Sequence, residues 1–91
     1  MTTEKATKAL AEIYATGDSD TRAERAAESH LWDAEERVRS EEWGLAGYSL
    51  DAAYRALGAE PPDSTAEDFE RGRHPIRVEA ERLVREMLGE G

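Results

Sequence analysis

Apolar side chains recur along this chain at three- and four-residue intervals, the period of an amphipathic helix. No run alternates with period two, and the β-branched residues are scattered, so no strand is predicted. Ala6, Leu10, Ile13 and Tyr14 form one stripe of a first helix over Thr3–Thr16, and Gly17 stands where a left-handed cap would close it. Glu4 and Lys8 have the order and spacing of a favourable i,i+4 pair.

A second helix is expected to start at "GDSDTRAE", where Thr21 and Glu24 have capping-box spacing and Asp20 is the alternative cap. It is predicted to run to about Trp43 and stop at Gly44, a length of ~35 Å, with Glu35 and Arg39 supporting it at i,i+4. "GLAGYS" then reads as a turn. Ser49 caps a short third helix, Leu50–Leu57, closed by Gly58. The prolines of "AEPPDS" make a stiff linker, and Ser64 with Glu67 suggests a capping box for a short fourth helix over about Thr65–Arg71. Pro75 suits the first position of a last helix, whose face carries Ile76, Ala80, Leu83, Val84, Met87 and Leu88 and which closes at Gly89. The expectation is an all-α fold: a small bundle of four to five helices around one long central helix. The chain reads as one domain over residues 1–91, with short flexible ends at 1–2 and 89–91.

The second helix carries two faces. With Leu31 at zero and about 100° per residue, Ala27, Leu31, Ala34 and Val38 fall within about 60° of one another. Trp32 and Trp43 fall near ~100° and ~120°, Arg25 and Arg39 near ~120° and ~80°, and Glu36 borders them. The alternation Arg25, Trp32, Arg39, Trp43 has two readings. The rings can pack under neighbouring helices with arginine stems laid over them. Alternatively, Trp32 at least is offered to a partner, since Trp and Arg are the residue types enriched at binding hot spots.

Composition narrows the function classes. The net charge is −9, with −2 in residues 1–20, −3 in 21–48, −5 in 49–70 and +1 in 71–91. Such a surface repels phosphates and disfavours direct binding to nucleic acid. With no cysteine, disulfides and thiolate metal sites are excluded. The opening MTTEKATKALAEIYATG has no apolar run long enough for a signal peptide or membrane span, so a cytoplasmic location is expected. A chain of this size is only marginally stable alone, which makes a homo-oligomer a candidate state.

Catalytic equipment is sparse. There is no glycine-rich phosphate loop, no G-x-S-x-G elbow and no cysteine nucleophile. His30 and Asp33 are too few for a metal site, and the pairs Glu35–Glu36 and Glu41–Glu42 diverge on a helix rather than sharing a proton. No enzyme, cofactor or metal is therefore expected. "RGRHPIR" is the one basic cluster, and Arg71, Arg73, His74 and Arg77 at a helix start form a candidate site for an anion or an acidic partner. The alternative is local compensation for Glu67, Asp68 and Glu70. The leading expectation is a small non-enzymatic interaction or regulatory protein, of the kind a bacterium or phage uses as an accessory, docking another protein or itself through the Trp/Arg face. The competing expectation is an acidic mimic of DNA that occupies a nucleic-acid-binding surface.

Overall fold

The computed structural model describes residues 1–89 and is helical, with no strand among them. Four helices carry the fold: α1 (Thr3–Thr16), α2 (Arg22–Arg39), α3 (Trp43–Ala56) and α5 (Pro75–Met87); α4 (Ala66–Glu70) is a single turn. No helix is long and apolar enough to cross a membrane among these residues. The flexible C-terminal end expected at 89–91 falls mostly on residues 90 and 91, outside the described part. At the other end Thr2 is the N-cap of α1, accepting from Lys5 N–H at 3.1 Å.

α1 has the expected limits, ending where Gly17 (φ 77°) donates to the Ile13 carbonyl at 2.7 Å. The Thr21–Glu24 capping box starts α2: Glu24 N–H donates to the threonine hydroxyl at 3.0 Å, and Thr21 N–H to the carboxylate at 2.9 Å.

The second helix is shorter than its pattern suggested. It stops at Arg39, and Trp43 begins α3 instead of ending α2. The break is a Schellman motif, in which Glu42 N–H donates to Arg37 O and Glu41 N–H to Val38 O. The same two bonds close α3 around Gly58 (φ 73°) and α4 around Gly72 (φ 75°). Behind α2 the left-handed position is held by Glu41 (φ 57°), where a side chain costs about 1 kcal/mol relative to glycine. A pair between Arg37 and Glu42 at 4.0 Å stands where an apolar contact usually braces this motif. "GLAGYS", expected to be a turn, is the first half of α3.

α2 and α3 form an antiparallel hairpin with the most extensive interface of the molecule. Ser49 and Arg37 both donate to Asp33 across and along it, at 2.8 and 3.0 Å, and these bonds hold the Asp33 carboxyl below its ordinary pKa. The guanidinium bond is the larger cause, the hydroxyl the second. Alanines 27, 34, 46 and 53 are buried and let the two backbones approach.

α1 and α5 form the second pair. Thr3 and Thr7 share a groove with Pro75 and Val78, and Thr16 shares one with Leu83 and Met87, so the two helices run parallel. Leu10, Ile13, Leu31, Leu50, Tyr54, Phe69 and Ile76 fill the space between the pairs. The capping box of α4 lies one residue later than expected, on Thr65 and Asp68. The apolar face of α5 is only half used: Ile76 and Ala80 are buried, whereas Met87 and Leu88 are 60% and 71% exposed. α5 is an edge helix that leans on α1 and touches α4, and no other helix among the described residues packs on it.

Candidate functional site

The end of α1 places Tyr14 between α2 and α5. Its stripe carries the ring toward the core, but a buried phenol needs a partner for its hydroxyl. It finds one on α2, donating to Glu35 Oε2 at 2.8 Å. Burial first, and then this bond to a carboxylate, raise the Tyr14 pKa above its ordinary value.

Three groups converge on that ring. The Trp32 indole lies on it at 5.6 Å, tilted by 30°. The Phe69 ring of α4 meets it edge-on, also at 5.6 Å. From α5 the Arg77 guanidinium lies 5.8 Å from the Tyr14 centroid and 5.5 Å from that of Phe69, and it donates to the Phe69 carbonyl at 2.9 Å. Arg39 reaches the other oxygen of Glu35 at 3.6 Å. The result is a polar and aromatic seam joining α1, α2, α4 and α5.

Two shallow hollows flank the seam and share Glu35 and Arg39. One, about 440 Å³, is walled by Trp32, Glu36 and Ser40. The other, about 280 Å³, is walled by Phe69, Glu70 and Arg77. A third, about 340 Å³, lies on the far side of Tyr14, against Ala15, Ala80 and Val84. Tyr14 thus touches Trp32 and also lines this third hollow together with the partly exposed Val84.

Of the face anticipated on α2, the structure gathers Trp32, Glu36 and Arg39. Trp32 is 40% exposed. Arg25 points away, donating to the Asp20 carbonyl at 2.8 Å in the turn before α2. Trp43 is not part of the face, because α2 has ended; it is half-buried and packs on the core from the first position of α3. Among the described residues no guanidinium lies over the Trp32 ring; the one that lies over aromatic rings is that of Arg77.

The anticipated basic cluster is divided. Arg71 and Arg73 are exposed beside the end of α4, while Arg77 turns into the seam. His74 does not face an anion. It is 1% exposed, between Tyr54 at 6.3 Å and Phe69 at 5.8 Å, and its Nδ1 caps α5 by accepting from Ile76 N–H at 3.2 Å. Burial lowers its pKa to about 4, so the ring is neutral near pH 7.

Sequence reasoning missed Tyr14 and Arg77 as members of one site. The usable signal was the hydroxyl of Tyr14, which a helix stripe can bury only with an acceptor opposite, and Glu35 was on the face of α2 that could supply it. What the arrangement offers is a flat apolar ring, fixed from behind and bordered by charges of both signs. No protein-family model, curated protein or solved structure matches this chain.

Proposed function

We propose that the protein is a non-enzymatic cytoplasmic module that docks another protein through the surface around Trp32, bounded by Glu36, Arg39 and the Tyr14–Val84 side of α5. One observation carries this reading: the chain leaves an indole 40% exposed and packed on one side against Tyr14. Tyr14 is itself tied to Glu35 through its hydroxyl, a contact that restricts the freedom of the ring before any partner arrives. Such preorganisation lowers the ordering cost of association, and tryptophan is the side chain most enriched where interfaces concentrate their energy.

The reading as an acidic mimic of DNA has less support. Mimicry calls for an unbroken field of carboxylates, and here arginines are interleaved and paired with them: Arg37 with Asp33, Arg39 with Glu35, Arg82 with Glu79 and Glu86, Arg85 with Glu81. The test is site-specific photocrosslinking in the producing cell. A benzoyl-phenylalanine at position 40, in the hollow beside Trp32, should give one discrete adduct. The same probe at position 48, exposed on α3, should not. Identical adducts from both positions, or none from position 40, would overturn the reading.

A further inference from the structure

We infer that the partner presents a lysine or arginine to this surface, laid on the outer face of the Trp32 indole with its charge against Glu36. The inference rests on the docking reading above and adds the chemistry of the partner.

Trp32 packs against Tyr14 with ring centroids 5.6 Å apart, and 40% of the residue is left exposed. An indole face is the best of the aromatic platforms for a cation. The chain's nearby arginines are committed elsewhere: Arg77 over Tyr14 and Phe69, Arg25 to the Asp20 carbonyl, Arg39 to Glu35. The charges one helical turn either side of the ring have the complementary sign, while Arg39, two turns on and lining the same hollow, is paired with Glu35 at 3.6 Å. One helical turn before and after Trp32 stand Glu28, Ser29, Glu35 and Glu36. Glu28 accepts from Ser19 at 3.0 Å and Glu35 from Tyr14. Glu36 is exposed and makes no salt bridge or side-chain hydrogen bond among the described residues. A cationic side chain arriving here finds a π face and an uncompensated carboxylate side by side. An aliphatic neighbour on the partner finds Ala15, Ala80 and Val84 beyond Tyr14. The net charge of −9 steers such a partner in from a distance.

The test uses the full chain with Trp43→Phe, so that Trp32 is the sole indole, in a sample verified as monomer. Its fluorescence is quenched separately by acrylamide, caesium and iodide at constant ionic strength, each normalised to N-acetyltryptophanamide. The caesium-to-iodide ratio should exceed unity by about threefold or more, from a local potential of order kT. Glu28→Gln with Glu36→Gln should bring the ratio down, whereas the charge-matched pair Glu60→Gln with Asp63→Asn, near the opposite end of α1, should not. A labelled amphipathic peptide of leucine and lysine should then bind, and Trp32→Ala and Glu36→Lys should each weaken it by about tenfold.

A ratio near unity, equal binding of a glutamate-for-lysine twin, or undiminished binding by Glu36→Lys would overturn the inference and leave the docking reading standing. If acrylamide fails to reach Trp32 in the monomer, both fall. If the ring is shielded only in a dimer, the occupant is a second copy of this chain and the inference is overturned.

Discussion

His74 makes the stability of this protein depend on pH well above the carboxylate range. The ring is buried, and its Nδ1 accepts a backbone hydrogen bond, so the folded state holds it unprotonated down to about pH 4. In the unfolded chain it takes up a proton near pH 6.5. Between those values the unfolded state binds more protons, so stability falls as pH falls. It is fully present above pH 6.5, declines by about 1.4 kcal/mol per pH unit, and levels off near pH 4 after a loss of roughly 3 kcal/mol. The carboxylates with depressed values, Asp33, Asp68, Glu24 and Glu79, add their own losses only at lower pH. The assay is urea unfolding at pH 7 and pH 5. Wild type should lose about 2 kcal/mol between them. His74→Asn keeps a good N-cap and removes the titration. Whatever it costs at pH 7, it should show most of that loss abolished. An equal pH dependence in the two proteins would refute the reasoning.

Three further outcomes follow from the backbone and the seam. Glu41→Gly relieves a left-handed side chain behind α2 and should raise unfolding free energy by about 0.5–1 kcal/mol, read from the urea midpoint. Gly47→Ala, inside α3 with nothing within 4 Å of the added methyl, should stabilise by a similar ~0.5–1 kcal/mol. A loss there would mean that the methyl meets a neighbour. Tyr14→Phe removes the bond to Glu35 and should cost about 1 kcal/mol of stability, with the Trp32 emission shifting as its support loosens.

Much of the fold was written in local signals. The stripe of Ala6, Leu10 and Ile13 with Gly17 specified α1, the Thr21–Glu24 box opened α2, and Pro75 opened α5, because each is a local chemical demand on the backbone. The α2–α3 turn was illegible for the converse reason. Its left-handed position carries Glu41 rather than glycine, and its N-cap, Glu42, makes no side-chain bond. Its glycines, Gly44 and Gly47, lie inside the helix that follows. Three punctuation marks are thus displaced, and period counting then carried α2 through to Trp43. The site was legible in parts. Trp32, Glu36 and Arg39 share a face by helical spacing alone, whereas Tyr14 and Arg77 join it through the packing of α1 and α5, which no local pattern encodes. The burial of His74 was hidden in the same way, since three arginines beside it read as one basic surface until the fold turned the histidine inward.

Trp32 is partly exposed at the surface of the free protein, and acrylamide quenching of the Trp43→Phe monomer tests this most directly. Strong quenching with red-shifted emission, reporting an indole in water, is the expected result. A weakly quenched, blue-shifted Trp32 in a verified monomer would place the ring in the core and contradict it.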